Sequence, residues 1–164
     1  MQPDGELYLR NIVFGISDSL VSTVGLLSGI DISGTAHQTI ILTGIIYAFV
    51  EAFSMAVGSF ISEESAEEYA AKGIVKNNKP LVGGVVMFVS FVLAAFIPIL
   101  PYLVWNTACA LWASIAFSII ALFIVGIVSA KFSKVNMLAR GLQTALLGGA
   151  AIAIGALVGK FVKA

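Results

Sequence analysis

The chain has 164 residues, of which 59% are hydrophobic and only 11% charged, with nine basic and nine acidic side chains in balance. A soluble domain carries about 25% charged residues, so a soluble globular enzyme is excluded, and zero net charge gives no reason to expect nucleic acid. Three uncharged stretches, residues 32–50, 80–130 and 141–159, run for 19, 51 and 19 residues; about 20 apolar residues cross a bilayer, and the expectation is an all-α, multi-pass membrane protein.

Five helices are predicted. The first covers about residues 9–30 and closes before the turn Asp31-Ile-Ser-Gly-Thr35. It holds Asp18, and Asp4 and Glu6 precede it in place of a basic leader, so a cleaved signal peptide is not expected. The second covers about residues 37–61. Residues 62–80 follow as a short cytoplasmic segment, too small for its own core. Here the second helix is expected to project past the membrane and stop near Gly73, before the breaking run Asn77-Asn78-Lys79-Pro80. The third helix covers about 81–100 and is expected to end at Pro98 and Pro101, because proline removes a donor and clashes with the preceding turn. The fourth covers about 106–129 and the fifth about 137–161, which makes residues 1–164 one transmembrane domain. Strands are not expected, since these runs lack the alternation of a membrane barrel.

Basic residues set the orientation. With the N-terminus in the cytoplasm, Arg10, Lys72, Lys76, Lys79, Lys131, Lys134 and Arg140 lie inside, against Lys160 and Lys163 on the opposite side with the C-terminus. Tyr102 and Trp105 suit an interfacial aromatic belt at the far end. Small residues mark close packing: Gly25 and Gly29 in the first helix, Gly44, Ala48, Ala52 and Ala56 in the second, and Gly141, Ala145, Gly149 and Ala153 in the fifth, which also has Gly155 and Gly159. Cys109 reads as a small buried hydrophobe and excludes a disulfide framework. Asn106 and Gln143 are candidates for hydrogen bonds between helices.

Asp18 and Glu51 are the informative residues. An ionised carboxylate at the bilayer centre costs roughly 2.5–3.5 kcal/mol on insertion scales, and every Lys and Arg lies at a helix end. Protons or bound cations remain as partners. At about 1.5 Å per residue, Asp18 lies roughly 13 Å from the cytoplasmic end of the first helix, with Glu51 at about 15 Å and Met55 at about 9 Å on the second. Three candidate ligands on two helices should therefore converge. Tyr47, Glu51 and Met55 share a face, as do Phe14, Asp18 and Ser22; Ser22, Tyr47 and Ser54 are expected to line the pathway. The alternative is a structural pair, protonated and hydrogen-bonded to Ser17, Ser22 or Ser54.

Oxygen ligands with a thioether suit Fe²⁺ or Mn²⁺ better than Mg²⁺ or Ca²⁺. Carboxylates that hold either a metal or a proton give an antiport scheme, with Asp18 and Glu51 as metal ligands and proton carriers. Glu63, Glu64, Glu67 and Glu68 form two i, i+4 pairs that either admit cations at the cytoplasmic mouth or are a solvated face. His37 has an interfacial or capping role at the outer mouth.

The stretches Phe14-Gly-Ile-Ser-Asp18-Ser-Leu-Val21 and Glu51-Ala-Phe-Ser-Met55-Ala-Val-Gly58 resemble the vacuolar iron transporter family. Phe96-Ile-Pro-Ile-Leu-Pro-Tyr102, Leu122-Phe-Ile-Val-Gly126 and the glycine-rich fifth helix extend the resemblance over nearly the whole chain. It implies a five-helix homodimer that exports Fe²⁺, and often Mn²⁺, from the cytosol in exchange for protons. The family's pathway aspartate falls on Asp18 and its methionine on Met55. Ser19 replaces the glycine that usually follows the aspartate, Ser59 stands where many members have glutamate, and Tyr47 where some have a second-helix glutamate; Glu51 lies one turn away. Residues 62–80 are too short for the metal-binding insertion that some members carry. No cofactor is expected beyond the transported ion. The membrane is that of the cell in a prokaryote and vacuolar in type in a eukaryote. The competing readings are an exchanger or channel for another ion and a non-transporting scaffold. An enzyme is not expected, because neither HExxH nor GxSxG occurs.

Overall fold

The computed structural model describes residues 3–105 and 109–163; Asn106 and the side chain of Lys163 lie outside the described residues. Five helices follow in order: α1 Pro3–Ile32, α2 His37–Ala71, α3 Lys79–Val104, α4 Cys109–Ser133 and α5 Met137–Lys163. Each is long and apolar enough to cross a membrane, and no strand occurs among the described residues. The fold is an all-helical, multi-pass membrane bundle.

The helix α2 is a single rod of 35 residues, roughly 52 Å at 1.5 Å per residue and well beyond a hydrocarbon core of about 30 Å. Its last turns carry Glu63, Glu64, Glu67 and Glu68. It stops because Lys72 takes the left-handed conformation at φ 53° and Gly73 N–H closes on the Glu68 carbonyl at 3.2 Å. Asn77 then ties the loop to both flanking helices. Its Nδ2 donates to Glu67 Oε2 at 2.6 Å, and its Oδ1 accepts the Lys79 N–H at 2.8 Å. The run Asn77–Pro80 thus opens α3 as well as interrupting the chain.

The expectation that α3 ends at Pro98–Pro101 is corrected. The helix continues through both prolines to Val104. Both prolines are buried, and neighbouring helices supply polar contacts where proline perturbs a membrane helix. Ser114 of α4 donates to the Pro98 carbonyl at 2.7 Å. The continuation turns Tyr102 inward, so it is not a belt residue: it is 1% exposed. Its hydroxyl donates to Asp31 at 2.9 Å, and its carbonyl accepts from His37 Nε2 at 2.8 Å. Trp105, just past the helix, does stay exposed.

The first helix is the hub and touches the other four, while α2 leans chiefly on α3, and α4 on α5. Gly25 and Gly29 meet Gly155 and Gly159 backbone to backbone: a Cβ on Gly29 would lie 2.7 Å from the Gly155 carbonyl oxygen. The expected fifth-helix stripe is corrected by one face. Gly141 seats Phe123 of α4, Gly149 meets nothing within 4 Å, and the face against α1 is Ala151, Gly155 and Gly159. The α2 stripe turns toward α3, where a Cβ on Gly84 would lie 2.8 Å from the Ala56 carbonyl. Ser19 buries its hydroxyl on the Phe91 carbonyl of α3 at 2.7 Å, which accommodates a polar side chain in a tight contact.

Two minor expectations also change. Cys109 is exposed: it lies within the uncharged run but is the first residue of α4. Gln143 is exposed and accepts from Arg140 of its own helix at 3.2 Å; Thr144 makes the bond between helices, donating to the Leu122 carbonyl at 2.8 Å.

Candidate functional site

The site is built on α1 and α2, which run antiparallel and set successive turns opposite one another. From the end rich in Lys and Arg inward, Arg10 forms an ion pair with Glu63, and Asn11 Nδ2 donates to Ser59 Oγ at 3.1 Å. One turn on, Phe14 and Met55 line the same cavity. Next, Asp18 and Glu51 lie close enough for their charges to act on each other. A further turn brings the Ser22 and Tyr47 side chains close together. This order is what a spacing of about four residues per turn on two antiparallel helices produces.

Asp18 and Glu51 are both half-buried. Tyr47 is within electrostatic range of both carboxylates. Ser22 donates to the Asp18 main-chain carbonyl at 2.7 Å, so it is not spent on the carboxylate. Among the described residues no Lys or Arg pairs with Asp18 or Glu51. Two acidic groups at apolar depth, near each other and without a protein cation, have two ways to become neutral: they take up protons, or they share a metal ion.

Met55 follows Glu51 by four residues on α2. It sits one turn nearer the basic end and lines a cavity of 650 Å³ together with Ser54, Ser59, Glu63 and Met87 of α3. The Glu63, Glu64, Glu67 and Glu68 group is dispersed in its engagements: Glu63 is held by Arg10 and Glu67 by Asn77. Among the described residues no three His, Cys, Asp or Glu side chains come together in an arrangement able to hold a metal. The polar positions therefore form a ladder along the cleft rather than one preformed cage.

Three members of this ladder were not legible in the sequence. Arg10 counted there only toward orientation, and its reach to Glu63 spans two helices. Asn11 is 2% exposed; its signal was a lone amide inside a helix, three residues before Phe14. Met87 lies in a long apolar run with no polar neighbour to mark it.

The model of the VIT family matches this chain over residues 9–78 and 70–160. A relative named Vacuolar iron transporter 1, from Arabidopsis thaliana, is 21% identical over 219 residues, covering 97% of this chain and 87% of its own length. An uncharacterised protein of Methanocaldococcus jannaschii is 26% identical over 170 residues, covering 92% of this chain and 87% of its own. The matched segments span all five helices, including the two that carry the carboxylate pair, and the chain belongs to the VIT family of transporters.

Proposed function

We propose that this protein exports Fe²⁺, and also Mn²⁺, from the cytosol in exchange for protons. The observation that carries the reading is the Asp18–Glu51 pair, set across the α1–α2 cleft at apolar depth with no basic partner among the described residues. Intramembrane carboxylates of this kind mark ion and proton pathways. One divalent cation neutralises the pair, and so do two protons, which gives each leg of the cycle a low-charge crossing. Met55 adds a soft ligand one turn away, and Ser22, Tyr47 and Ser54 supply oxygens along the path. The name of the plant relative points to the same cargo.

The basic residues orient the cycle. Seven of the nine Lys and Arg side chains lie at the α2–α3 and α4–α5 loops or near the start of α1, which supports a cytoplasmic position for that end. Metal is then loaded at the Glu63 end and released toward the α1–α2 turn.

The working unit is a homodimer. The α2 surface presents Ile46, Phe49, Val50 and Phe53, all about half exposed or more, beside carboxylates that are only half-buried in one copy. A second copy on this face would complete the shielding and bring two Asp18–Glu51 pairs to one path.

Fe²⁺ flux into proteoliposomes under an imposed pH gradient tests the reading. Wild type is expected to move iron with counter-moving protons, and Asp18→Asn to abolish both fluxes. Met55→Ala is expected to weaken uptake and Glu51→Gln to uncouple or stop it. A verified preparation that moves neither Fe²⁺ nor Mn²⁺ would sink the proposal and leave the pair as a structural contact in a scaffold.

A further inference from the structure

The ladder has a step that the carboxylate pair does not explain. The open cavity at the basic end, between α1 and α2 with Met87 of α3 on its wall, is lined by one carboxylate, Glu63, by the hydroxyls of Ser54, Ser59 and Ser62, and by the thioethers of Met55 and Met87. That is a donor set for a borderline-soft divalent cation. Its charge is already met by Arg10, whose guanidinium pairs with Glu63. The two partners differ in setting: the Glu63 side chain is 15% exposed and that of Arg10 is 63% exposed. The carboxylate belongs to the cavity and the cation reaches in from outside.

Asn11 shapes the wall behind them. Its Nδ2 donates both to Ser59 Oγ and to the Gly83 carbonyl, each at 3.1 Å. A carbonyl only accepts, so the amide nitrogen must face it, and both amide hydrogens are used. The amide oxygen is left as an acceptor on a residue that lines the cavity.

We propose that this cavity is a metal-loading site whose resting occupant is the Arg10 guanidinium, and that an arriving divalent cation displaces Arg10 from Glu63. This rests on the transport reading above. Arginine stays protonated in proteins, so a change of pH near neutrality does not free Glu63 from its side. A competing cation does. The divalent ion brings twice the charge and can bind hydroxyl oxygens and thioethers together, whereas a guanidinium can hydrogen-bond to the hydroxyls but gains little from a thioether, which is only a weak acceptor. Arg10 then acts as a tethered plug: it keeps the site closed to loosely bound monovalent ions and returns when the metal moves inward toward Asp18 and Glu51.

The test is equilibrium Mn²⁺ binding to the purified full chain in detergent, read by the paramagnetic resonance signal of free Mn²⁺, with Mn²⁺ uptake into proteoliposomes measured alongside. Removing the internal competitor with Arg10→Gln should tighten Mn²⁺ binding about fivefold or more, a typical coupling between two linked ligands, and lower the KM for uptake in step. Glu63→Gln should weaken binding. The double variant should behave as Glu63→Gln alone, because without the carboxylate there is nothing to compete for. Arg10→Lys, which keeps the charge but loses the planar fork, should tighten binding by a smaller factor, and it carries the test if Arg10→Gln does not fold. An unchanged or weaker Mn²⁺ affinity in the Arg10 variants overturns the loading site. The two readings fail separately: affinity that responds to Arg10 and Glu63 without any flux removes the transport reading, whereas proton-coupled flux that Asp18→Asn abolishes, with an affinity indifferent to Arg10, removes the loading site alone.

Discussion

The two long faces of α1 meet their neighbours in opposite ways. Toward α5, Gly25 and Gly29 lie against Gly155 and Gly159, and carbonyl groups occupy the space that side chains would need. Toward α2, side chains stand off the backbones, and the cleft holds an ion pair, a cavity, two carboxylates and a neighbouring tyrosine and serine. A backbone-to-backbone seam has one way to fit, and it fails when volume is added. A ladder of polar side chains can exchange partners, and it fails when charge or a donor atom is removed. One helix thus carries a fixed seam on one side and a rewritable one on the other.

The largest effect is expected at the fixed seam. Gly155→Leu drives a branched side chain into the Gly25 carbonyl; overpacking costs about 1–3 kcal/mol and sometimes more, and here no flexible side chain can yield. The variant should lose its single peak in size-exclusion chromatography, and a normal peak with an unchanged melting temperature would show that the seam is looser than its geometry.

Asp18→Asn sharpens the contrast. It keeps the volume and removes one of two neighbouring acids, so the melting temperature should stay level or rise while metal flux is lost. A marked fall in melting temperature would mean that the pair holds the helices together instead of serving the ion. Between these extremes lies Ser114→Ala, which deletes the α4 hydroxyl donating to Pro98. Hydrogen bonds between membrane helices average about 0.6 kcal/mol, so a small fall in unfolding stability is expected, measured by denaturation in mixed micelles. Smallest of all, Gly149→Ala adds a methyl where nothing lies within 4 Å and should leave stability within about 0.5 kcal/mol. A large loss there would reveal a packing partner outside the single chain.

The candidate site was legible where it depended on periodicity. Asp18 and Glu51 sit opposite each other because distance along a helix is counted in residues, and both lie a similar number of residues from the same end. Met55, one turn nearer the cytoplasmic end by the same counting, shares its cavity with Met87 of α3, a neighbour that counting along one helix does not give. In the sequence Arg10 and Glu63 stand apart, one an orienting charge and the other part of an acidic group. Their pairing depends on how far α2 projects, and that is set by the left-handed turn at Lys72 after an unbroken 35-residue rod.

The helix ends show the same division. Proline chemistry predicts a stop at Pro98, but α3 runs on to Val104 with both prolines buried among other helices and with Ser114 of α4 bonded to the Pro98 carbonyl. That continuation decided the fate of Tyr102, turned from a surface belt to a buried donor for Asp31. Among the glycines, composition showed that α5 packs closely somewhere, but only the bundle selected Gly155 and Gly159 over Gly149 for the contact with α1.

What the residues determined alone was the solvent and the cost of violating it. Fifty-nine per cent hydrophobic content and uncharged runs of 19 residues or more require membrane helices, and two acids inside them require a neutralising partner. Both follow from transfer free energies, which belong to single side chains and need no neighbour to be defined. Which face each helix presents, which carboxylate is already held by an arginine and which is left open were decided only by the tertiary structure, since each is a relation between residues on different helices that only packing brings within reach.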